Sequence, residues 1–158
     1  MTNEELQRKI ESWSPDPEAS ALTFTEEESQ FLNVSISPEN LIELMSKLKS
    51  DDKTRFDYLF CLTGVDWGED LGVVYHLEST QHRHQLVVKV STPERENPVL
   101  ATVSSIWKTA EFHEREVFDF FGITFTDHPN MKRLFLTDEW EGYPLRKDYE
   151  DEINMILK

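Results

Sequence analysis

The sequence is short of cysteine, glycine and positive charge, and it contains no long apolar run. Cys61 is the only thiol in 158 residues, which excludes an internal disulfide and a thiolate metal cluster within the chain. Five glycines leave little material for loops that cradle phosphate. No Gly-rich phosphate loop, nucleophile elbow or dinucleotide fingerprint occurs. No apolar stretch approaches the length needed to cross a bilayer. The opening residues, MTNEELQRKIESW, lack the basic start and apolar stretch of a secretory signal. Lysine and arginine number 16 against 31 aspartates and glutamates, a formal charge of -15. A field of that sign repels phosphate backbones and anionic lipid, which argues against a nucleic-acid partner and against electrostatic docking on a membrane. A cytoplasmic location is the default expectation.

What is present suits one folded domain. Hydrophobic residues make up 38% of the chain and aromatics 11%, enough for a core. Residues 1–30 are polar, with a short helix near 3–12 and an exposed connection around Pro15 and Pro17. In 31–36, Leu32, Val34 and Ile36 alternate as in a strand. Ser37 and Pro38 then mark a helix start, and Leu41, Ile42, Leu44, Met45 and Leu48 form its apolar face. Three strands follow. FDYLFCLTGVDW is apolar on both alternating faces, which predicts a central strand covered on both sides. GVVYHLES and HRHQLVVKVS alternate more plainly. Asn97 and Pro98 read as the cap and first turn of a second helix, with Val103, Ile106, Trp107 and Ala110 as its buried stripe. Helical spacing carries that stripe on to Glu114, Val117 and Phe121, and Gly122 ends the helix. Glu114 thus falls where a core residue belongs. Arg115 and Asp119 lie four apart and can pair. ITF at 123–125 reads as a brief strand.

This order predicts an α+β fold, a two-layer sandwich of a mixed sheet with helices on one face and an irregular C-terminal tail. Its expected divisions are a polar, partly helical segment (1–30), the α+β domain (31–125) and an extended tail (126–158).

Catalytic and metal constellations are incomplete. His82 and His84 share a strand face, but spacing fixes no third ligand. His113, Glu114 and Glu116 lack the second histidine of a zinc-protease helix. Cys61 sits in the most apolar strand, where a thiol is ordinarily inert packing. A metal-dependent hydrolase using His82, His84, His113 or His128 therefore rests on the histidine count alone. The tail interleaves Trp140, Tyr143, Leu145 and Tyr149 with Glu141, Arg146, Lys147 and Asp148, a composition typical of interface centres. Wrapping over the chain's own domain fits that composition equally.

The stretch EREVFDFFGITFTDHPNMKRLFLTDEWEGYPLRKDYE resembles the signature of the C-type subunit of NADH:quinone oxidoreductase, respiratory complex I. The matching parts are Glu114 to Phe125, His128–Pro129, Arg133 to Leu136 and Trp140 to Tyr149. Weaker likeness covers LTGVDW, VVYHLES and SSIWKTAEF. Asp127 stands where the family commonly has Gly, Tyr143 where it commonly has His, and Phe135 interrupts an aliphatic run. The resemblance implies a non-catalytic structural subunit of the peripheral arm that supports electron transfer from NADH to quinone. It implies no catalytic residue and no cofactor or metal on this chain, with NADH, FMN, iron–sulfur clusters and quinone held elsewhere in the complex. The implied partners are the quinone-site (D-type) subunit and the iron–sulfur (B-type) subunit. The implied location is the cytoplasmic side of the inner (plasma) membrane, peripheral, with membrane contact only through the complex. Glu114, Arg115, Glu116, Asp119 and Gly122 become the expected structural signature. The expected interface is His128, Pro129, Arg133, Trp140, Glu141, Gly142, Pro144, Leu145, Arg146, Lys147, Asp148 and Tyr149. Related scaffold subunits belong to membrane-bound hydrogenases and ferredoxin-linked complexes, so that assignment stays open as an alternative.

Overall fold

Thr2 opens the first helix with a reciprocal cap: its side chain accepts from the Glu5 N–H, and the Glu5 carboxylate accepts from the Thr2 N–H. The helix, α1, runs Asn3–Glu11 and buries Leu6 and Ile10. A computed structural model of the protein describes residues 1–13, 22–25 and 31–151. The connection expected around Pro15 and Pro17, and the last residues of the tail, lie outside them. The further elements are β1 (Thr23–Thr25), β2 (Leu32–Ser35), a 3-10 turn (Pro38–Asn40), α2 (Leu41–Ser50), β3 (Tyr58–Asp66), β4 (Leu71–Ser79), β5 (His84–Thr92), β6 (Val99–Ala101), α3 (Ala110–Phe121) and β7 (Thr124–Thr126).

The main sheet has the order β1-β2-β5-β4-β3. β3, β4 and β5 form antiparallel neighbours, whereas β2 joins β5 in parallel, so the sheet is mixed as expected. Register lines Leu62, Tyr75, Val88 and Val34 across one face, and all four are buried. The helices lie on that face. A side chain at Gly64 would stand 2.4 Å from the Phe121 ring of α3, so the glycine lets the helix sit directly on β3. Leu41, Leu44, Met45 and Leu48 of α2 and Leu6 and Ile10 of α1 join the same core. The two-layer α+β architecture is therefore present.

Three local expectations are corrected. β3 is an edge strand of the main sheet, not a central one. Its second apolar face is only half covered: Phe60, Cys61 and Val65 are partly exposed, and Thr63 is exposed. No helix starts at Asn97. Residues 99–101 form β6, which pairs in parallel with β7, and the Pro98 carbonyl accepts from the Thr124 N–H. The buried stripe is real, because Val103, Trp107, Ala110, Glu114 and Val117 are all buried. It is carried first by isolated turns, in which the Val103 carbonyl accepts from the Ile106 and Trp107 N–H groups, and only from Ala110 by α3. Finally, part of the polar lead-in enters the sheet: β1 pairs with β2, and Leu22 joins the core.

Candidate functional site: a C-terminal strap clamped to helix α3

Helix α3 ends at Gly122, whose φ of 72° is left-handed and whose N–H donates to the Phe118 carbonyl. The glycine is required twice over, since a Cβ there would meet the Tyr143 ring at 2.4 Å. The chain after β7 folds back across this helix end. Asp127 adopts a φ of 62°, a left-handed conformation that Asp tolerates at less cost than most side chains.

Glu114 is fully buried. Its Oε1 accepts from the Val103 N–H at 2.8 Å, and its Oε2 accepts from the Thr102 hydroxyl at 2.5 Å. The His128 Nε2 lies 3.8 Å away. That nitrogen also lies 2.9 Å from the Glu111 carbonyl, while Nδ1 accepts from the Asn130 N–H at 3.0 Å, the pattern of a neutral imidazole protonated at Nε2. Burial without a countercharge pushes the Glu114 carboxyl up to about 7.

Asp119 is also fully buried, but it is fully satisfied. Its Oδ2 accepts from three successive backbone N–H groups, Leu134, Phe135 and Leu136, at 3.1, 2.6 and 3.0 Å. Its Oδ1 accepts from the Arg133 guanidinium at 3.0 Å. Burial alone would raise this carboxyl; the strap amides and Arg133 outweigh it and hold it below its usual value. The expected Arg115–Asp119 pair is thus corrected. Arg115 instead donates to the Lys132 and Arg133 carbonyls, because the strap offers it two acceptors on one side. Arg133 itself also donates to the carbonyls of Asp119, Trp140 and Gly142.

The end of the strap is clamped a second time. Arg95 makes a bidentate pair with Asp66, both contacts at 2.9 Å, and donates to Asp148 at 2.8 Å. Asp66 further accepts from the Gly68 and Lys147 N–H groups. The Arg95 guanidinium holds the Asp66 carboxyl far below the usual carboxylate range. Arg146 donates to the Phe121 carbonyl at 2.6 Å and the Arg95 carbonyl at 2.7 Å, with its guanidinium 4.7 Å from the Tyr143 ring centre.

The expected interface residues therefore divide. Arg133, Arg146 and Asp148 engage this chain's own groups, and the side chain of His128 is buried. Pro144 and Tyr149 are half-buried, with Tyr149 against Gly142. Pro129, Trp140, Glu141, Leu145 and Lys147 face outward. Glu116 is exposed and makes no hydrogen bond or ion pair among the described residues, unlike the other charged members of its signature. Sequence reasoning missed Arg95 and Thr102, which sit in segments without periodicity. Asp66 lay within the LTGVDW likeness but carried no assigned role.

The histidines do not converge. His82 and His84 stack with ring centres 5.7 Å apart and bond the Asp52 and Thr54 carbonyls, whereas His128 bonds that of Glu111. Among the described residues no group of three or more His, Cys, Asp or Glu is placed to hold a metal ion, and no helix is long and apolar enough to cross a membrane.

The family model described as respiratory-chain NADH dehydrogenase, 30 Kd subunit, matches residues 34–153, which includes the whole described strap. The chain belongs to this family. Among its relatives, the C/D subunit of the NADH-quinone oxidoreductase of Phocaeicola vulgatus is 55% identical over 78% of this chain and 24% of its own length. The C subunit of the Chloroherpeton thalassium enzyme is 49% identical over 65% of this chain and 43% of its own. The C subunit of the Roseiflexus castenholzii enzyme is 42% identical over 74% and 68%. The chain thus spans between about a quarter and two thirds of these relatives. A solved trypsin-resistant fragment of Nqo5 superposes with a TM-score of 0.66 at 31% identity, over 79% of this chain and 98% of the fragment. A chain of an archaeal membrane-bound sulfane sulfur reductase gives 0.76 at 26% identity, over 93% and 85%.

Proposed function

We propose that this protein is a structural subunit of the peripheral arm of an NADH:quinone oxidoreductase. On this reading it binds no cofactor or metal itself and carries out no chemistry. It supports electron transfer from NADH to quinone by holding its neighbours in place, while NADH, FMN, iron–sulfur clusters and quinone sit on other subunits. The observation that carries the reading is the family match over 34–153, where both the domain and the strap fall within one family pattern. The partners are the quinone-site (D-type) subunit and the iron–sulfur (B-type) subunit. Relatives named as C/D subunits, in which this chain matches about a quarter of the length, support the pairing with the quinone-site subunit. The assembly lies on the cytoplasmic side of the inner (plasma) membrane, reached only through the complex. Residues 126–158 serve as the partner-binding tail, with 31–125 as the domain that presents it.

Co-purification tests this directly. The tagged chain is expected to recover the quinone-site and iron–sulfur subunits, and a chain truncated after Tyr143 is expected to lose at least one of them. Equal recovery by both chains would remove the tail from the interface, and no recovery by either would remove the function. A second reading, the equivalent scaffold in another respiratory membrane complex, is favoured by the likeness to the sulfane sulfur reductase chain. Pull-down of hydrogenase-type or ferredoxin-linked subunits in place of those two would select it.

A further inference from the structure

The strap turns its arginines inward and leaves four acids unengaged at its surface, while Lys147 faces outward and Asp148 is held by Arg95. Within 134–151 the basic residues are Arg146 and Lys147, and the Arg146 guanidinium bonds the Phe121 and Arg95 carbonyls. Arg133, just upstream, is occupied by Asp119, Trp140 and Gly142. By contrast Asp138, Glu139, Glu141 and Glu150 are exposed and make no hydrogen bond or ion pair among the described residues. Between them stand large apolar groups in the open: Phe135 is 65% exposed, Leu145 55% and Trp140 37%. These groups share one place, the C-terminal end of α3. Phe135 stacks on Phe120, with ring centres 5.8 Å apart. The Leu145 N–H bonds the Phe120 carbonyl, and Arg133 joins the Trp140 carbonyl to Asp119. The backbone under this surface is fixed by the two clamps, so the side chains are presented without a further cost of ordering the backbone.

We infer that Phe135, Trp140 and Leu145, rimmed by Asp138, Glu139 and Glu141, form a docking surface for a protein face that is basic and offers an apolar recess. The choice of partner follows from charge complementarity. Acids with no partner among the described residues steer a cationic surface toward them and repel anionic lipid and nucleic acid. Exposed aromatic and aliphatic groups at the centre of an acidic rim match the anatomy of a subunit contact. The inference rests on the subunit function proposed above. It reverses the simplest expectation from the sequence, that the strap's own arginines reach for acidic groups on the partner.

The test uses the full-length chain with the purified quinone-site and iron–sulfur subunits. Two variants are compared with the wild type: D138K/E139K/E141K, which reverses the rim, and W140A/L145A, which removes the apolar centre. Both alter exposed side chains, and thermal melts within about 2 °C of the wild type would confirm that each folds. Charge reversal is expected to slow association at least tenfold at about 50 mM salt, with the difference fading at about 500 mM, as screening demands. The W140A/L145A variant is expected to dissociate at least tenfold faster at both salt concentrations. An unchanged or faster association of the charge-reversed chain, with normal assembly by the wild type, overturns this inference and leaves the subunit function standing. A wild-type chain that recovers neither partner overturns both. Binding of the wild type to phosphatidylglycerol vesicles in preference to the two partners also overturns the inference.

Discussion

Glu114 shows how a charged residue can occupy a core position. Its spacing on the stripe of Val103, Trp107, Ala110 and Val117 was legible in the sequence; its partners were not, because Thr102 and Val103 come from an irregular segment and His128 from the strap. With its carboxyl raised to about 7, the folded chain holds a proton between pH 4.5 and 7 that the unfolded chain has lost. Stability therefore falls as pH rises through that window and levels off above it, by about 3 kcal/mol at most. Glu114→Gln keeps an acceptor for the Val103 N–H and a donor toward Thr102, so it should remove this slope. Urea unfolding of both proteins at pH 5.5 and 8 measures it: the Gln variant should gain on the wild type at the higher pH, and parallel profiles would place Glu114 in a less desolvated setting. Gly122 makes the opposite kind of demand. Gly122→Ala meets both a left-handed backbone and the Tyr143 ring, and should lower stability by about 2–4 kcal/mol in the same assay.

At the scale of elements, α2 and the strands of the main sheet from β2 to β5 announce themselves through apolar periodicity, and the signature residues mark the end of α3. The failures share a cause. Asn97–Pro98 carries a sound local helix-start signal, yet β6 forms there because β7 supplies a parallel partner across α3. Glu94 also takes the Glu96 and Asn97 N–H groups onto its carboxylate, fixing a turn before the strand. β3 reads as central because both its faces are apolar, a pattern that burial by helices on one side and partial exposure on the other also produces. Local patterns report periodicity, not the neighbours that complete a ladder. Asp119 illustrates the same limit: its i, i+4 mate Arg115 was visible, but three amides from 134–136 bind it instead. Asp119→Ala should cost about 3 kcal/mol, since it strips Arg133 of its countercharge and leaves those amides without their acceptor. Hydrogen exchange at Leu134, Phe135 and Leu136 should accelerate at least tenfold. Unchanged protection there would show that the strap is held by packing alone.

For the whole molecule, the question is how strap and domain stay together, given a net charge of -15. Family membership was legible at this scale, because a long ordered signature survives where single contacts cannot be read. The intramolecular clamp was not, since Asp66 and Arg95 lie 29 residues apart and Arg95 and Asp148 53 apart. Arg95 is the junction: it joins Asp66 on the edge strand to Asp148 on the strap, and its carbonyl receives Arg146. Asp66 is depressed far below its unfolded value, so its contribution is in place above about pH 4 and is lost only as pH falls below that. The clamp is therefore constant across neutral pH, unlike the contribution of Glu114. Arg95→Ala should release the strap's end while the sheet and α3 persist, because the Asp119 clamp lies elsewhere and the main core does not include Arg95. Trypsin then reads the change directly. Cleavage after Arg146 and Lys147 should quicken at least tenfold in the variant, with far-ultraviolet circular dichroism unchanged. Equal cleavage rates in the two proteins would mean that Arg146 on the Phe121 carbonyl holds the strap's end without help from Arg95.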